Sequence, residues 1–274
     1  MHDIAAFLHS NAEGDLFSFS VQQKAAKRYS LHLAEVEGIA LANGLLPARY
    51  QRNRSMFSIQ QQLCLLQSKV AVFGCGGLGG YIIEELARLG IGSIRVVDPD
   101  VFEEHNLNRQ LLCTGALLGK KKAEAAVRRV SEINPAVRLQ SFDTAFGRHS
   151  APEMLEDIHV AADALDTISS RLELADACSE RVIPLVHGAI AGWSGYMAVQ
   201  YPGETILRRL YEGNLADRGV ERRLGNPSFT PAIIASLEVA EIVKILLKIE
   251  PSRPRTYLAI DLLHMEFTEV PLPD

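Results

Sequence analysis

The stretch Lys69-Val-Ala-Val-Phe-Gly-Cys-Gly-Gly-Leu-Gly79 decides the fold. Lys69 to Phe73 is a short apolar run bounded by glycines, which predicts a buried strand. Leu78, Ile82, Ile83, Leu86 and Leu89 then recur at helical spacing. Gly74, Gly76, Gly77 and Gly79 sit between the two elements. Without side chains, such a turn lets backbone N–H groups approach an anion, and the helix N-terminus behind it favours negative charge.

Working outward, Ile94 to Val97 predicts a second strand ended by Asp98-Pro99. Asp98 is placed where a carboxylate accepts hydrogen bonds from a ribose. Ala123, Ala126, Val127, Val130 and Ile133 line one helix face, stopped at Asn134-Pro135. Val137 to Phe142 and Ala161 to Leu165 predict further strands. Strand and helix alternate, which argues for an α/β fold with a parallel sheet covered on both faces. After Ile183 the pattern changes. Ile183 to Val186 and Tyr196 to Tyr201 are separated by a short Gly-rich link and are expected to pair antiparallel. Gly203 to Pro227 reads as a long mobile loop. Thr230-Pro231 is expected to open the last long helix, with Thr230 as its N-cap. Tyr257 to Ile260 and Met265 to Val270 complete the strands.

Residues 1–48 predict a helical N-terminal extension. Ser20-Val-Gln-Gln23 has capping-box spacing, and one helix is expected from Val21 toward Gly44. A second is expected over Ser55 to Leu66.

Composition narrows the function classes. The chain has 274 residues, 47% hydrophobic and 22% charged, with net charge −5. That is enough to bury a core without staples, and a nucleic-acid binder relying on bulk charge would be basic. The four cysteines (64, 75, 113, 178) form no Cys-x-x-Cys pair, so no structural zinc is expected. With no export signal in view they read as reduced cytoplasmic thiols. Cys178 reads as a buried small hydrophobe. Pro231 to Ile249 carries Glu238, Glu241, Lys244 and Lys248, so it reads as a core helix and no membrane span is expected.

Three further clusters bear on chemistry. Asn106-Leu-Asn-Arg109-Gln110 offers a guanidinium fork for phosphate oxygens. Gly119-Lys-Lys-Lys122 puts cations at a helix start, where the dipole disfavours them unless an anion is near; a polyphosphate is one candidate. Asp166 follows a predicted parallel strand, where ligands sit in open sheets; it either holds Mg²⁺ or caps the next helix. Asp163 and Arg171 read as a structural pair.

Taken in order, Arg49-Tyr-Gln-Arg52-Asn, Gly-x-Gly-Gly-Leu-Gly, Asp98-x-Asp100, Asn-Leu-x-Arg-Gln, Gly-x-x-Lys, Ile-Asn-Pro and Asp-x-x-Asp-x-x-x-x-Arg resemble the ThiF/MoeB/HesA family, relatives of the ubiquitin-activating enzymes. The similarity covers roughly residues 49–270, giving an adenylation domain over 49–274. It implies a Rossmann-like mixed sheet, a homodimer, and ATP-dependent adenylylation of a carboxylate. The substrate it most commonly implies is the C-terminal glycine of a small ubiquitin-like sulfur carrier ending in Gly-Gly, with a tRNA-linked acid or a small metabolite left open. Carried onto this sequence, the phosphate loop falls on Gly74, Gly76, Gly77 and Gly79, and the ribose on Asp98. Asn106, Arg109, Gln110 and Lys122 would also hold the nucleotide, and Asp166 would handle Mg²⁺. Thr167 stands where an Asn is usual and is also expected to contact the nucleotide. Arg52 matches an arginine that reaches into the partner subunit's site. Arg52, Arg109, Lys122 and Asp166 are the expected catalytic set. The resemblance also calls for a cysteine in the loop after the sixth or seventh strand, and residues 203–227 have none, so no covalent cysteine step is expected. Two rival readings share the glycine turn: an NAD(P)-dependent oxidoreductase and a non-catalytic nucleotide-binding scaffold.

Overall fold

The computed structural model describes residues 2–212, 221–249 and 256–272. In chain order the elements are α1 (His2–Ser10), β1 (Leu16–Phe17), α2 (Phe19–Tyr29), α3 (Leu33–Ala42), β2 (Leu46–Pro47), α4 (Ile59–Leu66), β3 (Lys69–Phe73), α5 (Gly77–Leu89), β4 (Ser93–Val97), α6 (Lys122–Ile133), β5 (Arg138–Phe142) and α7 (Ala151–Met154). Then come β6 (Val160–Asp163), α8 (Ile168–Glu180), β7 (Leu185–Ala191), β8 (Ser194–Gln200), α9 (Ile206–Leu210), α10 (Glu221–Leu224), α11 (Phe229–Leu246), β9 (Thr256–Asp261) and β10 (Glu266–Pro271).

Eight strands form one sheet in the order β10-β9-β8-β7-β6-β3-β4-β5. Strands β3 to β7 run parallel, and β8, β9 and β10 add antiparallel, as the alternation and its later change predict. The pleat sorts the core by twos. Val70, Val72, Ile94 and Val96 point to one face, against Ile82, Leu86, Ala126 and Ile242 of α5, α6 and α11. Ala71, Phe73 and Val97 point to the other, against Met154, Leu174 and Leu207 of α7, α8 and α9. The chain passes from β3 outward to β4 and β5, then returns across β3 to β6. That reversal opens a crevice at the carboxyl ends of β3 and β6, the usual ligand position in such sheets. No helix among the described residues is long and apolar enough to cross a membrane.

The N-terminal helices pack around their own small core of Ile4, Leu8, Phe17, Ala25, Val36, Ala40 and Leu45. A buried polar knot joins them to the sheet. Arg49 donates to Glu37 (2.9 Å), to Asn134 (2.7 Å) and to Gln22. Tyr50 donates to Glu37 at 2.9 Å, and the Asn134 amide donates to the Tyr50 oxygen at 2.8 Å. Burial pushes the Glu37 carboxyl up, against the opposing pull of Arg49 and Tyr50.

Several local expectations are corrected. The single helix expected from Val21 toward Gly44 is two, broken where Ser30 turns left-handed (φ 54°). Its cap is Ser18, which accepts from the Val21 N–H; Ser20 bonds Ser18 instead. The helix expected from Ser55 begins at Ile59, behind a Ser58–Gln61 capping box. Thr230 is not the N-cap of α11 either. It is fully buried, and its hydroxyl donates to the Gly192 carbonyl at 2.7 Å. The loop expected over 203–227 contains α9 and α10, and Ile206, Leu207 and Tyr211 are buried. Residues 213–220 of that loop lie outside the described residues.

Candidate active site

A cavity of about 510 Å³ opens at the carboxyl ends of β3, β4 and β6. Gly74, Gly76, Gly77, Asp98, Asn106, Arg109, Gln110, Lys122 and Asp166 all line it. The glycines divide the work. Gly74 has φ 102°, and a Cβ on it would lie 2.5 Å from the Ala164 carbonyl oxygen. A Cβ on Gly79 would lie 1.7 Å from the Gly74 oxygen, so Gly79 lets α5 close on β3 and does not itself line the cavity. Gly76 and Gly77 have only ordinary contacts at a Cβ position, and Gly76 caps α5. These two leave the helix N-terminus open to an anion.

Asp98 is 5% exposed and clasps this turn. Its Oδ2 accepts the Cys75 N–H at 2.6 Å and its Oδ1 the Asp100 N–H at 2.8 Å. Burial pushes its carboxyl up, partly offset by the Cys75 bond and by Lys122. A carboxylate has further acceptor positions, so a ribose contact is compatible with both bonds. Asn106 is turned to local work: it is buried and its Oδ1 accepts the Glu103 N–H at 3.0 Å, fixing the loop that carries Arg109.

The cations differ in how they are balanced. Lys122 is buried and its Nζ lies 2.9 Å from Asp100 Oδ2. Lys121 pairs with Asp143 at 3.0 Å. Two of the three helix-start lysines, Lys121 and Lys122, are thus each matched by a side-chain carboxylate. Arg109 is not so matched. Its guanidinium donates to the His105 carbonyl (3.1 Å) and the Asn108 side-chain oxygen (2.9 Å), and no carboxylate pairs with it among the described residues. Burial lowers its pKa, so an anion in the cavity would relieve a real cost. Gln110 Oε1 and Asn226 Oδ1 are buried in the cavity wall without a partner among the described residues, which leaves two polar groups for a ligand to satisfy.

Asp166 is exposed at the rim, just beyond β6. It does not cap α8; Thr167 does, accepting from the Ser170 N–H at 3.3 Å, and Thr167 does not line the cavity. An exposed carboxylate at the edge of a phosphate-sized cavity suits Mg²⁺, which takes one or two carboxylates with phosphate oxygens and water. Arg52 stands apart, exposed on a 3₁₀ turn (Ala48–Asn53) and off this cavity.

The expected Asp163–Arg171 pair is also corrected. Asp163 accepts from His187 Nδ1 at 2.7 Å and from the Leu165 N–H at 3.0 Å. Arg171 donates to the Leu165 carbonyl and to the Tyr211 hydroxyl. Sequence reasoning missed Asp100, His105, Phe146 and Asn226 as cavity residues. The Asp98-x-Asp100 spacing could have flagged Asp100; nothing local marks the other three.

Comparisons with known proteins bear on the family and the fold. The chain is 33% identical over 230 residues to the SAMP-activating enzyme E1 of Haloferax volcanii, covering 81% of this chain and 84% of that protein. It is 31% identical over 213 residues to the adenylyltransferase and sulfurtransferase MOCS3 of Arabidopsis thaliana, covering 75% of this chain but 46% of that protein, so it spans about half the MOCS3 length. Among solved structures, E. coli MccB with ATP has a TM-score of 0.70 at 18% identity, covering 91% of this chain and 78% of that chain. PaaA has a TM-score of 0.67 at 18% identity, covering 99% and 81%, and both likenesses concern the fold alone. The ThiF family profile matches residues 50–274, and with relatives of this identity and coverage the chain belongs to the ThiF family.

Proposed function

We propose that this protein adenylylates a carboxylate with ATP and Mg²⁺ and releases pyrophosphate, the substrate being the C-terminal glycine of a small ubiquitin-like carrier. The chain is an adenylyltransferase of the ThiF family; its relatives bear that name. The observation that supports the nucleotide assignment is the single cavity where the Gly76–Gly77 turn, the unmatched Arg109, Lys122 and Asp166 converge.

In this reading the substrate carboxylate attacks the α-phosphorus and the bond to pyrophosphate breaks. The attacking group is already anionic, so no general base is needed. The barrier is repulsion between anions and charge gathering on the leaving group, which positioned cations lower. Arg109 and Lys122 hold the phosphates, Asp98 the ribose, and Gln110 with Asn106 shapes the wall. Phe146 offers an apolar face for the base. Mg²⁺ held at Asp166 would neutralise phosphate charge. Arg52, exposed and away from its own cavity, fits a homodimer in which it completes the partner's site. The reading divides the chain into the helical extension (1–48) and the adenylation domain (49–274), and places it in the cytoplasm.

The first step of the test needs no carrier. MgATP is expected to bind the purified protein and to lose its affinity in Lys122→Ala, while NADH is expected not to bind. Binding of NADH without MgATP would return the oxidoreductase reading. Incubation with ATP and a carrier ending in Gly-Gly, followed by mass spectrometry, should then reveal an AMP adduct; nucleotide binding without any adduct would favour the scaffold.

A further inference from the structure

A second cavity, about 680 Å³, lies beside the first and shares Asp166, Arg171 and Ile190 with it. Its floor is the β7–β8–β9 surface, with Tyr196 and Tyr257 among the lining. Its charge is lopsided. Asp166, Asp261 and Glu266 line it, and among the described lining residues Arg171 alone is a cation. An anion entering this cavity meets one lining cation, Arg171, which is also a wall of the nucleotide cavity.

Arg171 is held with unusual care. Its Nε and Nη2 both donate to the Leu165 carbonyl, at 3.0 and 2.7 Å, and its Nη1 donates to the Tyr211 hydroxyl. A guanidinium has five N–H donors. Three are spent, and the other two have no partner among the described residues. The Tyr211 oxygen also accepts from the Tyr196 hydroxyl at 2.8 Å, so its own proton goes to His187 Nε2, 3.1 Å away. That requires His187 to carry its hydrogen on Nδ1, where it donates to Asp163 at 2.7 Å. This tautomer follows from the donor count. Burial lowers the His187 pKa, consistent with a neutral ring. Asp163 in turn grips the Leu165 N–H, so one closed circuit fixes both Arg171 and the loop that leads to Asp166.

We propose that Arg171 receives the substrate carboxylate at the junction of the two cavities, and that Tyr211, held by His187 on Asp163, is the positioning residue that aims it. This rests on the adenylylation reading and deepens it. The two unspent N–H groups would hold the carboxylate during attack and the carbonyl oxygen that remains in the acyl-adenylate afterwards.

The test compares two ligands by calorimetry on the full chain: 5′-O-sulfamoyladenosine, and the same compound carrying a glycyl group on the sulfamate, which mimics an acyl-adenylate. In the wild type the glycyl compound is expected to bind at least about tenfold more tightly, the scale of a charge-assisted hydrogen bond. Arg171→Gln should bring that ratio to within about twofold of unity. Arg171→Lys, which keeps the charge, should retain part of it. Tyr211→Phe should lower the ratio about threefold while the affinity for 5′-O-sulfamoyladenosine itself is unchanged, which a merely structural tyrosine would not do; it decides the matter alone should Arg171→Gln fail to fold. A wild-type ratio near one, or a ratio untouched by these substitutions, overturns the inference. If the wild type binds neither compound nor MgATP, the adenylylation reading falls first and this inference with it.

Discussion

Glu238 on α11 is fully buried, and neither carboxylate oxygen has a hydrogen-bond partner among the described residues. It presses on the Gly188 backbone: a Cβ there would lie 1.5 Å from Glu238 Oε1. Burial pushes its carboxyl well above the ordinary value of 4.5, Asp163 adds to the rise, and Arg171 opposes it. Burial thus favours the neutral form of Glu238 in the folded protein, whereas the unfolded chain ionises it above about 4.5. Folding then takes up a proton, and stability must fall as pH rises from about 4.5 toward the folded pKa. The slope is about 1.4 kcal/mol per pH unit. Each pH unit in that window lowers stability by up to this amount, or roughly 2 °C in melting temperature for a chain of this size. Glu238→Gln keeps the shape and cannot ionise, so it lacks this slope. Melting wild type and variant side by side from pH 5 to pH 8.5 cancels every other titration. The variant should gain on the wild type steadily with pH. Parallel curves would refute a neutral buried Glu238.

Lys122→Ala and Asp166→Ala should each lower carrier-dependent ATP–pyrophosphate exchange about 100-fold or more without unfolding the protein, the usual cost of removing one transition-state charge donor; near-normal exchange in both would remove them from the site. Gly79→Ala forces a methyl into the Gly74 carbonyl and should cost about 3 kcal/mol in urea unfolding, with weakened nucleotide binding; a neutral effect would show that the turn yields easily. Arg49→Ala strands the buried Glu37 and should cost about 3–5 kcal/mol, and Glu37→Gln in the same background should recover part of it, as a double-mutant cycle would read.

Periodicity carried most of the sheet. The apolar runs at β3 and β4 and the helical spacing of α5 and α6 are short-range signals, and the structure keeps them within a residue or two. What escaped depends on distance or on a single torsion. Nothing local says that Ser30 turns left-handed and splits the N-terminal helix. Thr230 is an ordinary N-cap by composition, yet its hydroxyl is claimed by Gly192, which only the folded chain brings near. The stretch holding α9 reads as loop because it is polar, and it orders because Ile206 and Leu207 reach the core under β8.

The site was legible in outline. Of the residues expected to hold nucleotide, all but Gly79 and Thr167 line one cavity. The sequence motifs did not separate binding from support. Arg49, Tyr50 and Asn134 belong to motifs distant in the chain, and they meet in a knot that docks the N-terminal helices, away from the cavity. Asp163 finds His187 and not Arg171, because strand pairing of β6 with β7 sets that contact.

A crystal structure with Mg²⁺ and a non-hydrolysable ATP analogue tests the central claim most directly. The triphosphate should lie on the Gly76–Gly77 turn, with Arg109 and Lys122 on its oxygens and Asp166 at the metal. Nucleotide bound elsewhere, or in this cavity with Arg109 and Lys122 turned away from the phosphates, would contradict it.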